Sequence, residues 1–176
     1  MVSMQSGRIL YGIYEGTYVL KLIGEVRVPM CTSLDGFLER MFHDQKLSSV
    51  LIDLSATTLV DSTTLGLLAK IPVYLRQQAQ GKPVILSTNP DVTRILRSMG
   101  FEQFFILLQQ WEDAHLAAGS LAELPKEEQG QYDVTQKVID AHRRLMAMNE
   151  TNHQTFSDLV QSLETAQRLQ GEGPCT

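Results

Sequence analysis

Asp61-Ser62-Thr63-Thr64 places three hydroxyls in a row beside a carboxylate. That set suits two chemistries, nucleophilic attack by an activated serine or acceptance of a phosphoryl group. Upstream, Ser49-Val50-Leu51-Ile52-Asp53-Leu54 is short, apolar and β-branched, which predicts a strand covered on both faces. Downstream, Leu65, Leu68, Ala69, Pro72, Leu75 and Ala79 recur at helical spacing. Ser62 is therefore expected in the first turn of a helix, where unpaired backbone N–H groups favour negative charge and accept a phosphate. A serine after a strand can also be a simple N-cap, but Asp61 is itself a good cap and would leave Ser62 facing outward.

Enzymatic readings find less support. Val60-Asp61-Ser62-Thr63-Thr64 superficially resembles a nucleophile elbow, yet lacks the glycines its strained turn requires. His43, His115, His142 and His153 are scattered, match no metal motif and are expected to be mostly solvated helix residues. No glycine-rich phosphate loop is present, so binding and hydrolysis of ATP are not expected. Cys31 is expected near a helix start, where a packed structural thiol is the simpler reading than a reactive one.

The elements around this stretch follow from local signals. Arg8–Tyr14 and Thr17–Ile23 flank Glu15-Gly16, a hairpin signature. Thr32-Ser33-Leu34-Asp35 reads as a capping box opening a helix with Leu34, Phe37, Leu38, Met41 and Phe42 on one stripe, ending near Lys46. The helix after Ser62 should kink at Pro72 and stop at Gly81. Pro83–Ser87 is a further strand, Asn89-Pro90 opens a helix that Gly100 closes, and Phe104–Leu108 is a last short strand. The order β-β-α-β-α-β-α-β implies an α/β mixed sheet with helices packed on it, without distinguishing among folds of that class.

The arrangement resembles the STAS domain of bacterial anti-sigma factor antagonists. Their signature is a strand ending in Asp followed by Asp-Ser-(Ser/Thr)-Gly-Leu-Gly at a helix start. Asp53, Asp61, Ser62, Thr63, Leu65 and Gly66 match, whereas Thr64 stands where the family carries its first Gly. Gly24-Glu25 after the second strand and Leu96-Arg97-Ser98-Met99-Gly100-Phe101 near the end also correspond. The resemblance implies a STAS fold with a mixed four- to five-stranded sheet over residues 7–110, and phosphorylation of Ser62 with Thr63 as fallback. It implies a non-enzymatic partner switch, without cofactor or metal, that engages an anti-sigma factor or a serine kinase when unphosphorylated, with a phosphatase reversing the mark. The family's loop after the second strand, here Gly24, Glu25 and Arg27, would help meet the kinase. Many relatives are acidic where Arg27 stands; Arg27 could pair with Asp61 or a phosphate, or remain a solvated loop residue. Leu67, Ile71 and Tyr74 form a second stripe on the helix, flanked by Ser62, Thr63, Gly66 and Lys70. Together with Asp61 and Thr64 they make a candidate partner surface, unless the stripe is buried beneath the C-terminal helices. Two competing readings stay open: a STAS assembly or ligand-carrying module, for example of a lipid transporter, and a hydrolase using Ser62.

Composition fits one globular domain plus an appendage. The chain has 176 residues, 43% hydrophobic and 20% charged, with net charge −5. It carries no basic cluster, which argues against direct nucleic-acid contact. Two cysteines, no signal-like apolar core and no run of about 18 apolar residues point to a soluble cytoplasmic protein with no membrane contact. After Trp111, residues 111–132 read as a short helix and an acidic linker. Residues 133–170 read as a C-terminal helical extension, with Asp133/Gln136 and Thr151/Gln154 as start signals. Val134, Val138, Ala141, Leu145 and Met148 form one stripe, then Phe156, Leu159, Leu163 and Ala166 form another in a shifted register. Two helices or one bent helix, folded back or pairing with a second copy in a homodimer, would all satisfy that pattern. Residues 171–176 are expected to fray.

Overall fold

The computed structural model describes residues 6–110, 120–127 and 130–171. Six strands form one sheet in the order β5-β4-β3-β2-β1-β6. β1 (Arg8–Tyr14) and β2 (Thr17–Val26) are antiparallel, and the turn between them puts both Glu15 (φ 46°) and Gly16 (φ 83°) in the left-handed region. That is the two-residue turn whose twist matches the strands it joins. β2, β3 (Ser49–Val60), β4 (Val84–Leu86) and β5 (Ile106–Leu108) then run parallel. Each parallel step carries a helical crossover, as parallel pairing demands.

α1 (Cys31–Phe42) crosses from β2 to β3, α2 (Ser62–Leu68) and α3 (Lys70–Gln77) from β3 to β4, and α4 (Pro90–Ser98) from β4 to β5. α5 (Gln131–Met148) and α6 (Glu150–Gly171) form an antiparallel hairpin, tied by Arg143 to Glu164 at 2.5 Å and Gln167 to Gln136 at 3.2 Å. The hairpin folds back: Leu145 and Phe156 join the same apolar core as Leu20, Leu34, Ile52, Leu65 and Leu67.

Several expectations need correction. The sheet has a sixth strand, β6 (Ala122–Glu123), inside the segment read as linker; it pairs with Leu10 and Tyr11. Two residues carry no periodicity, and the pairing uses backbone groups that any sequence offers. β3 does not end near Leu54 but continues to Val60, with register shifts opposite Lys21–Ile23 and Gly24–Glu25, where Gly24 sits at φ 71°. The capping box at Thr32 does not form. A 3-10 turn (Val28–Met30) leads into α1, whose cap position falls at Met30, two residues before Thr32, and no side chain caps it. Ser33 instead accepts from the backbone N–H of Glu127 at 2.7 Å. Helix α3 ends at Gln77, and Ala79 rather than Gly81 takes the left-handed conformation (φ 54°). Asn149, accepting from the Asn152 N–H at 2.8 Å, opens α6 in place of Thr151.

Other signals hold. The helix after Ser62 is divided at Ala69, one turn before Pro72, whose missing N–H leaves the ladder one bond short. Asn89 accepts from the Asp91 N–H at 2.9 Å with Pro90 in the first turn, and Gly100 closes α4 at φ 80°. Residues 111–119, His115 and Cys175 lie outside the described residues.

Candidate functional site

The adjacent ends of β2 and β3 meet the start of α2, and Asp61 ties the three together. Its Oδ1 accepts from the Thr64 N–H and the Thr64 hydroxyl, both at 2.8 Å. Its Oδ2 accepts from the Val28 N–H at 2.8 Å, across from β2. Asp61 is thus the N-cap of α2, and its carboxylate is spoken for. Arg27 does not reach it; the guanidinium pairs with Glu25 at 2.9 Å and stays exposed. Gly24 is buried in the ladder.

Relieved of capping, Ser62 sits half-buried where α2 meets α5. Its Oγ lies 2.8 Å from Nε2 of His142 on α5. The other ring nitrogen, Nδ1, lies 2.7 Å from the Val138 carbonyl oxygen, which can only accept. Nδ1 therefore carries a proton, and a neutral ring offers its Nε2 lone pair to the Ser62 O–H. His142 is 2% exposed and meets the Phe156 ring edge-on at 5.0 Å. It is a buried partner of Ser62, where the sequence predicts a solvated helix residue. The available signal was its place on the Val138–Ala141–Leu145 stripe, the inner face of α5.

The remaining candidates are mostly covered. Thr63, Thr64 and Leu67 are buried, and a Cβ on Gly66 would stand 2.2 Å from the Ala141 carbonyl oxygen, so α2 and α5 touch backbone to backbone. Ile71 is buried in the core. Tyr74 turns to α1, stacking on Phe42 at 4.4 Å and donating its hydroxyl to the Phe42 carbonyl. Leu67 and Ile71 of this stripe are thus buried, whereas Tyr74 stays half-buried against α1.

A second polar node braces the hairpin. Asp35 on α1 receives Lys70 at 2.7 Å and Lys137 of α5 at 2.6 Å; Lys70 also pairs with Glu39. Burial pushes the Asp35 carboxyl upward, but the two ammonium groups outweigh it and hold it below its ordinary value. Cys31 behaves oppositely. Burial pushes its thiol up to about 12, against a weak contact from the Thr64 hydroxyl, so it is a packed group and not a nucleophile. Among the described residues no group of His, Cys, Asp and Glu could hold a metal ion, and no helix is long and apolar enough to cross a membrane.

The model of the STAS domain family matches residues 9–115. The chain belongs to the STAS domain family. Among solved structures, the anti-sigma factor antagonist SpoIIAA in its unphosphorylated form is similar at 15% identity and TM-score 0.51, over 62% of this chain and 94% of that one. An anti-sigma factor antagonist from Mycobacterium paratuberculosis is similar at 22% identity and TM-score 0.51, over 66% and 97%. The Bacillus cell fate determinant SpoIIAA in its phosphorylated form matches at 15% identity and TM-score 0.51, over 62% and 96%. No curated protein sequence matches. At these identities the likeness is one of fold. The STAS neighbours are covered almost whole, whereas this chain is not.

Proposed function

We propose that this STAS protein is an anti-sigma factor antagonist acting as a serine-phosphorylation-controlled partner switch in the cytoplasm. The observation that carries the reading is the division of labour at the motif: Asp61 caps the helix, which leaves the half-buried Ser62 hydroxyl free of its own helix, with Nε2 of His142 as its partner. A kinase would move a phosphoryl group from a nucleoside triphosphate to Oγ, the serine proton leaving to a base and the nucleoside diphosphate departing. A phosphatase would return the hydroxyl by hydrolysis.

The consequence is electrostatic. Phosphate adds about −1.5 to −2 charges, beside Asp61 and close to the Glu25–Arg27 edge. A partner docking on Asp61, Ser62, Glu25 and Arg27 would have to desolvate a dianion next to a carboxylate. A penalty of about 3 kcal/mol already weakens binding around a hundredfold. The partner bound in the unphosphorylated state is an anti-sigma factor or the kinase itself, and the chain carries no catalysis of its own.

Affinity isolation with wild type, Ser62→Ala and Ser62→Asp, coupled to mass spectrometry of the natively purified chain, tests this. The expected result is phosphate at Ser62, with an anti-sigma factor or serine kinase retained by Ala and lost by Asp. Equal recovery on both variants, or a bound lipid and a transporter component in place of these partners, would overturn it. The Ser62–His142 pair has the spacing of a nucleophile and its base, so a serine-reactive fluorophosphonate is a useful second probe. Labelling at Ser62 would remove the non-catalytic assignment.

A further inference from the structure

We propose that α5 occupies, within the same chain, a helix-docking face on α2, and that a phosphate ester on Ser62 evicts it. The inference rests on the reading of Ser62 as a phosphoacceptor and adds a second consequence of that mark.

The face is built for a helix. Gly66 lets the Ala141 backbone of α5 approach so closely that any β-carbon there would collide with its carbonyl. Leu67 beside it is 1% exposed. An occupant therefore needs a small residue at the crossing and apolar residues a turn away, which Ala141 and Leu145 supply. Polar contacts hold the cover at both ends. Lys137 reaches Asp35 at 2.6 Å, and near the hairpin's tip the Asn152 side chain donates to the Met99 carbonyl at 2.9 Å. An opened hairpin can reseat on these contacts.

Ser62 controls the middle of this interface. In the docked state its hydroxyl proton satisfies Nε2 of a histidine that water scarcely reaches. Esterification removes that proton and puts a phosphorus with three further oxygens on Oγ. If the group points at α5, it needs the space in which Nε2 stands, 2.8 Å away. The ring cannot swing aside without leaving the Val138 carbonyl and Phe156. If the group turns to solvent instead, Nε2 is left buried and unpartnered, which is costly. Both routes weaken docking, and tight packing of Gly66 on Ala141 makes the response release of the hairpin instead of gradual separation.

The test is amide hydrogen exchange by mass spectrometry on the full chain, with phosphoserine genetically encoded at 62, beside the unmodified chain and Ser62→Ala. Residues 134–171 should lose at least about tenfold protection in the phosphorylated chain and less in Ser62→Ala, while β2 and β3 keep theirs. Unchanged protection would overturn the proposal. Increased protection would do so too, indicating an imidazolium–phosphate clamp. Loss spread equally over β2 and β3 would also overturn it, because the effect would not be confined to the hairpin. Encoding the phosphate separates the two ideas. Its absence from natively purified protein would sink the phosphoacceptor reading alone, whereas an unaltered hairpin would sink only the eviction.

Discussion

The starts of α2 and α4 are built from the same local parts. Each follows a parallel strand, and each is capped by an Asx side chain, Asp61 or Asn89. Their hydroxyls meet different fates. Behind Asn89, Ser87 and Thr93 satisfy each other at 2.8 Å inside the core. Their neighbours Asp91 and Arg94 face water and pair with one another. Behind Asp61, the Ser62 hydroxyl has no partner on its own helix and finds one on α5, eighty positions later. A helix start that closes its own hydrogen bonds is structural. One that leaves a hydroxyl for a distant element can be switched.

The largest effect should come from filling the space that distinguishes the two. Gly66→Val drives a branched side chain into the Ala141 carbonyl. It should cost about 3 kcal/mol or undock the hairpin, read by denaturant unfolding together with exchange in α5. The matched change Gly81→Val, where a Cβ meets nothing within 4 Å, should stay within about 0.5 kcal/mol. If Gly66→Val proves equally mild, the close approach of α2 and α5 is wrong.

A smaller contrast separates the caps. Asp61→Ala removes the partner of three donors, including the Val28 N–H outside the helix, and should cost about 2 kcal/mol. Asn89→Ala, which loses the Asp91 N–H and a long contact to the Thr57 carbonyl, should cost about 1 kcal/mol. Equal midpoint shifts in chemical unfolding would erase the distinction between tying and merely capping.

The smallest effect is acid sensitivity of the hairpin. The Asp35 carboxyl is held below its ordinary value of 3.8 in the folded chain. Its contribution is therefore fully present above that value and is lost as pH falls through the lower, folded-state pKa. Exchange protection of α5 should fall in that acid window sooner than protection of α4, and Asp35→Asn should flatten the difference. A parallel fall of α4 and α5 in wild type would show that Asp35 does not brace the hairpin.

Much of this architecture is legible from short-range signals. Glu15-Gly16 requires two left-handed residues, Asn89-Pro90 opens a helix, and Asp61 outcompetes Ser62 as a cap, because each depends on groups within a few bonds. Failures cluster where partners are distant. Ser33 turns away from a capping box to serve Glu127, ninety-four positions later. β6 exists because β1 offers an unpaired edge, a fact no residue of 122–123 encodes.

The chain by itself determined the strand–serine–helix order, the phosphate-compatible motif and two amphipathic segments at its C-terminal end. Periodicity and capping chemistry act locally, so they are written in neighbouring residues. Only the tertiary structure decided what those segments cover. That outcome depends on a glycine meeting an alanine backbone and a serine meeting a histidine, contacts whose energy exists only once both helices are in place.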